Sequence, residues 1–286
     1  MIGSRTTAAR PPCRTSRTSL PPPLAQPRPE RDPAARRSPA ALLALPLLLF
    51  LLAPVAVLVV PNLGAALAAL AGDAELRDAL GRTALAACLA AGLAAVLGTP
   101  LAWLLARRPF PGRALVEAAL DLPLVLPHPV AGLALLLVLG RQSPVGGALL
   151  ELGLRIVGSL AGTTAAMLFV SAPLFVSAAR ASFAAVSEEH ELVAGTLGAG
   201  PWRRFWRVSL PLASRGLLAG AVVAWARAIS EFGAVVVVAY HPRVASTLAY
   251  ERFTGYGLSE ALPVAAALAL VALVPLVALR ALRGSR

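Results

Sequence analysis

Six long apolar stretches constrain the fold of this chain more than any other feature of its sequence. A run of about 18 or more mostly apolar residues is long enough to cross a bilayer as an α-helix. Hydrophobic residues make up 58% of the chain, a larger share than soluble domains carry. We therefore predict an all-α membrane protein with six transmembrane helices, at about residues 41–60, 83–105, 116–139, 160–179, 215–238 and 261–279.

The arginines indicate how these helices are oriented. Eighteen of the 26 basic residues lie before the first run, in 106–115, in 180–214 and after the last run, and six lie in the three alternate loops. Because loops rich in arginine stay in the cytoplasm, we predict a multi-pass protein of the cytoplasmic (inner) membrane with both termini and loop 181–212 inside. The first run and its leading segment are too long for a cleaved signal peptide, so we expect that run to remain as a span.

Residues 1–40 form a separate, strongly basic segment. They contain eight arginines and two acidic residues, about half of the net charge of +12. They are also rich in Pro, Ser and Thr, a composition that buries too little apolar surface to fold. We predict a disordered cytoplasmic tail beside anionic lipid, rather than a nucleic-acid-binding segment, followed by a transmembrane domain over 41–286.

Prolines recur inside the predicted spans, most densely in DLPLVLPHPVAG, which contains Pro123, Pro127 and Pro129. A proline removes a helix hydrogen bond and bends the helix. Within a membrane such a break persists only where protein or a water-filled cavity satisfies the backbone. Kinked packing and a translocation path are both compatible with this pattern, and His128 between two prolines either packs as a neutral ring or lines such a path.

The stretch ELVAGTLGAGPWRRFWRVSLPL, residues 191–212, is too polar to be a span. Ser187 is positioned as the N-cap of a short helix, and Pro201 as the first residue of the next one. In that second helix, Trp202, Phe205, Trp206 and Ser209 have the spacing of one face. The spacing is typical of an amphipathic segment at the membrane surface, with rings in the headgroup zone and arginines outward.

The same loop resembles the pattern E-A-A-x3-G-x9-I-x-L-P of ABC importer permeases. Gly198 matches the glycine, Val208 the isoleucine position, and Leu210-Pro211 the ending, whereas Leu192 occupies the glutamate position and Glu191 lies one residue earlier. The resemblance implies a type I ABC importer permease whose loop docks on a separate ATPase subunit. The residues that it implies for this ATPase coupling are Glu191, Ala194, Gly198, Ala199, Trp202, Arg203, Leu210 and Pro211.

The chain has no G-x-x-x-x-G-K-[ST] phosphate loop. ATP and Mg are therefore expected in the partner ATPase, and we predict no cofactor or metal in this chain, which would be a transport subunit and not an enzyme. The resemblance also implies a homodimer of the permease.

The stretch that begins at Trp225 indicates the substrate class. Arg227-Ala228-x-x-Glu231-Phe232-Gly233-Ala234 resembles the RA-x-x-EFGA signature of oxyanion permeases, and residues 242–253 resemble the P-x-x-A-x-T-L-x-YERF run of the molybdate/tungstate branch. Sulfate permeases, and thiamine- or iron-type relatives, are the alternatives. Arg227 and Glu231 lie on one helix face, as a structural ion pair or as part of a gate. The residues predicted for the translocation path or gate are Arg227, Glu231, Phe232 and Gly233.

Loop 239–260 is predicted on the outer side of the membrane, where an extracytoplasmic oxyanion-binding protein would dock. Tyr250, Arg252 and Tyr256 are the candidates for that contact, and packing on the rim is the alternative.

A polytopic membrane enzyme is the remaining alternative class. It would need a nucleophile with a base, or a set of metal ligands. His128, His190 and His241 are spread over opposite faces of the predicted bilayer, and the sequence contains no H-E-x-x-H. These observations disfavour an enzyme.

Overall fold

The structure is a computed structural model that describes residues 39–284, and all regular elements in that range are helices. The predicted all-α class is confirmed. The tail predicted at 1–40 lies outside the described residues except for Pro39 and Ala40, which begin the first helix. The helices are α1 (Pro39–Val59), α2 (Leu63–Gly72), α3 (Ala74–Arg107), α4 (Arg113–Val125), α5 (His128–Leu139), α6 (Pro144–Glu151), α7 (Leu160–Ala184), α8 (Glu188–Thr196), α9 (Pro201–Arg204), α10 (Leu210–Ile229), α11 (Gly233–Val238), α12 (Ala245–Tyr256) and α13 (Leu258–Gly284).

Within the described residues, three helical stretches are individually long and apolar enough to cross a membrane: Ala74–Arg107, Leu160–Ala184 and Pro201–Ile229. The number rises to five if each of two bent helix pairs is one span. The described part of the last helix contributes a shorter apolar stretch, Leu258–Leu273.

The predicted span 116–139 is interrupted, in agreement with the bend that its prolines indicated. α4 and α5 meet at 119°. Leu126 and Pro127 both have extended backbone, because a residue before proline avoids the helical region and Pro127 has no N–H to donate. Pro123 and Pro173, in contrast, lie inside α4 and α7 without ending them.

The predicted span 215–238 is also interrupted. α10 ends at Ile229, and α11 begins at Gly233. At its other end α10 is longer than predicted, since the helix runs without interruption from Pro201 through a π-helical turn, Phe205–Ser209, into Leu210. The amphipathic segment and the span are therefore one helix.

Residues 52–284 form one compact unit, and residues 39–51, the start of α1, belong to another; residues 43–51 of that stretch are exposed and rich in leucine. In the larger unit, α3 packs along α7, and α10 packs against both. Small residues make this possible: a Cβ on Gly216 of α10 would lie 2.0 Å from Ser182 Oγ of α7. Close packing of small residues is how helices associate where lipid supplies no hydrophobic driving force.

Candidate functional site

The two helix breaks face the same cavity. It has a volume of about 580 Å³, and its lining includes His128 and Pro129 at the start of α5 and residues 230–233 between α10 and α11. α11 packs on α5, and a Cβ on Gly233 would lie only 2.7 Å from His128 Cβ. The prolines and the glycine thus place irregular backbone at a cavity, where a membrane protein tolerates it.

All four residues predicted for a path or gate line this cavity, namely Arg227, Glu231, Phe232 and Gly233. Arg227 Nη2 donates to Glu231 Oε2 at 2.9 Å. The same nitrogen lies 2.9 Å from His128 Nε2, and Nη1 donates to Ser230 Oγ at 3.3 Å. His128, which the sequence left between packing and path-lining, therefore lies on the cavity wall beside the ion pair.

Glu231 is the buried member of this group. Its side chain is 1% exposed, against 22% for Arg227. Its second oxygen accepts the backbone N–H of Ala234 at 2.8 Å, one of the N–H groups that the start of α11 leaves without a helical partner. The carboxylate therefore holds Arg227 on α10 and the first turn of α11 together. Its own carbonyl accepts Ser246 Oγ from α12 at 3.0 Å.

At the opposite end of α10, α8 forms a short exposed helix. Ser187 caps it by accepting the N–H of Glu189 at 3.3 Å. It ends in a Schellman arrangement, since Ala199 N donates to Ala194 O and Gly198 N to Gly195 O, both at 3.0 Å. Gly198 has φ +83° with nothing within 4 Å of a Cβ. The backbone conformation, and not crowding within the chain, thus requires glycine there.

The residues of α8 divide into an outer and an inner set. Leu192, Val193 and Leu197 are exposed, Leu197 to 83%. Glu191 faces inward: its Oε1 accepts Arg107 Nε at 2.9 Å and Ser209 Oγ at 2.7 Å. Arg107 also donates to the carbonyl of Val186 at 2.7 Å. We call Arg107, Glu191 and Ser209 the α8 anchor, because they join α8 to α3 and to the π-helical turn.

The remaining residues predicted for ATPase coupling lie around this anchor. Trp202 and Arg203 are exposed, as is Pro211, whereas Leu210 is half-buried. Phe205 is buried. Its ring centroid lies 5.3 Å from that of Trp103 in an edge-on contact and 5.4 Å from that of Trp202 in a stacked one. The predicted aromatic face thus packs partly into the protein.

The residues predicted to dock a binding protein lie on α12. Tyr250 and Tyr256 are exposed. Arg252 is held inside the chain: its Nη2 donates to Asp73 Oδ2 at 2.5 Å and lies 3.4 Å from Glu75 Oε2. Burial opposes ionisation of Asp73, but the hydrogen bonds from Arg252 and from the N–H of Leu76 outweigh it and lower the pKa of Asp73.

Sequence reasoning missed several residues of these sites: Asp73, Trp103, Arg107 and Ser230. Asp73 precedes a long helix as an N-cap, which is a readable signal. Ser230 lies three residues after Arg227, a spacing that also brings side chains together on a helix. Trp103 and Arg107 come from chain segments distant from their partners, and a single sequence contains no sign of that proximity. In the described part of the chain, no group of three or more His, Cys, Asp or Glu side chains could hold a metal ion.

Comparisons with known proteins agree with this architecture. Residues 98–284 match the family described as "binding-protein-dependent transport system inner membrane component". The molybdate/tungstate transport system permease protein of Thermococcus kodakarensis is 42% identical over 68% of this chain and 74% of its own length. A probable sulfate transport system permease protein of Zygnema circumcarinatum is 38% identical over 66% of this chain and 67% of its own length.

Among solved structures, a bacterial alginate ABC transporter in complex with an alginate-bound periplasmic protein has a chain with the same fold. Its TM-score is 0.65 at 17% identity, over 86% of this chain and 94% of that one. The family match spans more than half of the chain and includes both helix breaks and α8. The chain belongs to the inner membrane components of binding-protein-dependent transport systems, the permease subunits of ABC importers.

Proposed function

We propose that this chain is the permease subunit of an ATP-driven importer for molybdate or tungstate. The observation that carries the substrate is the 42% identity to a permease of that name, above the 38% to a sulfate permease over a similar length. The cavity lining supports an anionic substrate, because the half-buried Arg227 is accessible from it and the Glu231 carboxylate is buried. Sulfate import is the second candidate, since sulfate is tetrahedral and doubly charged as well.

The exposed surface of α8 is the proposed docking site for the ATPase. Leu192, Val193 and Leu197 form an apolar surface beside Gly198, and a short helix of this kind fits a groove in a partner. An apolar Leu192 stands where the family pattern has glutamate. The contact is therefore hydrophobic at this position, with Arg203 and Trp202 next to it.

On the outer face, Tyr250 and Tyr256 are the proposed contacts for an extracytoplasmic oxyanion-binding protein. Exposed tyrosines supply large contact area at low entropic cost, as in many interfaces. Arg252 orients α12 through Asp73 and Glu75, so its part in docking is to position the helix.

The proposed assembly is a homodimer of this permease with two ATPase subunits, which bind ATP and Mg. Each chain would cross the cytoplasmic membrane six times, with both termini and α8 in the cytoplasm and the segment 1–40 beside anionic lipid. The unequal distribution of arginines supports this orientation.

The decisive experiment measures ATP hydrolysis by the purified complex in nanodiscs while molybdate, tungstate, sulfate or thiamine is added with the binding protein. Stimulation by molybdate or tungstate at far lower concentration than by sulfate is expected. Stimulation by sulfate or thiamine alone would retain the importer and reject the substrate. Absence of any copurifying ATPase would reject the importer.

The ATPase contact is tested at Gly198. Gly198→Trp places a bulky side chain on the docking surface, and Gly198→Ala strains the positive φ alone. We expect the Trp variant to lose ATPase in a pull-down from membranes and the Ala variant to weaken it. Gly200→Ala is the matched control, because that glycine has φ −65° and open space around a Cβ. Full ATPase assembly and uptake with Gly198→Trp would refute the docking site.

A further inference from the structure

The geometry points to Arg227 as the residue that contacts the tetrahedral oxyanion during its passage, with Glu231 and His128 positioning its guanidinium. This inference rests on the proposed function and specifies where that anion is held. The pair is more than a structural ion pair, because the guanidinium of Arg227 is more accessible from the cavity than the carboxylate of Glu231.

The asymmetry of burial is the first step of the argument. Both Glu231 oxygens have donors, Arg227 Nη2 at 2.9 Å and Ala234 N at 2.8 Å, and the side chain is 1% exposed. An anion in the cavity meets the guanidinium before the carboxylate. Because Coulomb energy falls with distance, attraction to the nearer positive charge exceeds repulsion from the farther negative one.

The donor set is the second step. A guanidinium presents five N–H donors in a planar fork that matches the oxygens of an oxyanion. Two neighbouring groups limit its rotation: His128 Nε2 lies 2.9 Å from Nη2, and Ser230 Oγ lies 3.3 Å from Nη1. His128 also lines the cavity, and its ring can donate to the same anion, whereas the Ser230 hydroxyl already donates to the Arg227 carbonyl at 2.9 Å.

The volume is sufficient for an oxyanion, and the charges on the cavity wall disfavour a cation. About 580 Å³ accommodates a tetrahedral oxyanion together with several waters. A cation would need carboxylate oxygens exposed to the cavity, and Glu231 presents almost none. The balance of one positive and one negative charge favours brief retention, which is what passage through a membrane requires.

The test uses the complete complex with ATPase and binding protein in proteoliposomes. Variants are R227Q, E231Q and the double variant R227Q/E231Q, with R215Q as the matched control: the same substitution on the same helix, at an exposed arginine outside the cavity. The readouts are oxyanion uptake, with separate KM and maximal rate, ATP hydrolysis and the melting temperature of the complex.

We expect R227Q to lower maximal uptake about tenfold or more, the loss typical of a charge-assisted hydrogen bond. E231Q leaves the positive charge of Arg227 unopposed, so the anion binds more tightly and is released more slowly. We therefore expect both the KM and the maximal rate of uptake to fall. The double variant has no ion pair to break, so its melting temperature recovers while its uptake stays low. R215Q transports like the wild type.

Recovery of uptake in the double variant would overturn the inference, since a purely structural pair is replaced by two neutral amides without functional loss. Unchanged uptake in R227Q would overturn it as well. Both results leave the proposed function intact if the wild type imports molybdate or tungstate. A wild type that imports only thiamine, in contrast, rejects the proposed function and this inference together.

Discussion

Removing the carboxylate of Glu191 should destabilise the chain far more than any other single change on α8. Arg107 is 6% exposed and Glu191 13% exposed, with Nε and Oε1 2.9 Å apart. Glu191→Ala leaves the Arg107 charge buried without this partner and takes away the acceptor of Ser209 Oγ. Breaking one side of a buried ion pair typically costs about 3–5 kcal/mol.

The lower end of that range applies here. Arg107 keeps its hydrogen bond to the carbonyl of Val186 at 2.7 Å and a second carboxylate, Glu188, at 3.6 Å. We expect a loss of about 3 kcal/mol for Glu191→Ala. Glu191→Gln retains an oxygen that accepts from Arg107 and Ser209 but loses the charge, so we expect about 1 kcal/mol. At about 2 °C or more per kcal/mol, the Ala variant melts at least about 6 °C below the wild type.

Thermal unfolding of the detergent-solubilised permease, followed by loss of the monodisperse peak in size-exclusion chromatography, measures this difference. Leu192→Gln is the neighbouring control, since Leu192 is exposed and its replacement should stay within about 0.5 kcal/mol of the wild type. In the full complex, the Ala variant should hydrolyse ATP with reduced uptake per ATP, because α8 is no longer joined to α3. A melting temperature within about 2 °C of the wild type would refute this account of the α8 anchor.

Two further perturbations test other contacts. Gly216→Ala should destabilise the protein by about 1–3 kcal/mol, because its Cβ would lie 2.0 Å from Ser182 Oγ. Adding Ser182→Gly to this variant should restore the melting temperature, and the control Gly92→Ala on α3, which has open space, should not lower it. An unchanged melting temperature in Gly216→Ala would contradict the α7–α10 packing. The pKa of Asp73 is lowered from 3.8, so its ionised form contributes stability that is present above pH 3.8 and is lost as the pH falls through the folded-state pKa. Between pH 7 and pH 3 the melting temperature should therefore fall less in Asp73→Asn than in the wild type. An equal fall in both proteins would contradict the Asp73–Arg252 pair.

The sequence was sufficient to predict the helical class, the N-cap at Ser187, the helix start at Pro201 and the Arg227–Glu231 pair. Each depends on residues at most four positions apart, where a helix defines the geometry. The motif singled out Gly198, and the φ of +83° that this residue adopts after the end of α8 gives the physical reason for the glycine.

The position of the break at Leu126-Pro127 and the existence of the break at residues 230–232 were not predicted, for two different reasons. Several prolines occupy the third run, and only tertiary packing decides that Pro127 ends a helix and Pro123 does not. At residues 230–232 no proline occurs at all. There the break depends on the Glu231 carboxylate accepting the Ala234 N–H, and on Gly233 lying against His128. Neither contact is visible in hydropathy.

The helix that ends at the second break connects α8 mechanically to the cavity at Arg227. The helix from Pro201 to Ile229 has 29 residues, about 43 Å at 1.5 Å per residue. It begins beside α8, which the α8 anchor attaches to it at Ser209, and Arg227 lies in its last turn. A displacement of α8 by an ATPase would therefore move Arg227 with the whole helix.

α11 need not move together with α10. It packs on α5, where a Cβ on Gly132 would lie 2.9 Å from the carbonyl oxygen of Ala234, and three residues, 230–232, separate it from α10. Such a short irregular connection can absorb a rotation between two rigid elements. Glu231 lies within it and bonds to both sides, Arg227 on α10 and Ala234 on α11. The contact of Arg227 with His128 crosses the same boundary. A movement of α8 would therefore change how Arg227 is presented to the cavity, and an importer driven between two states requires two such arrangements.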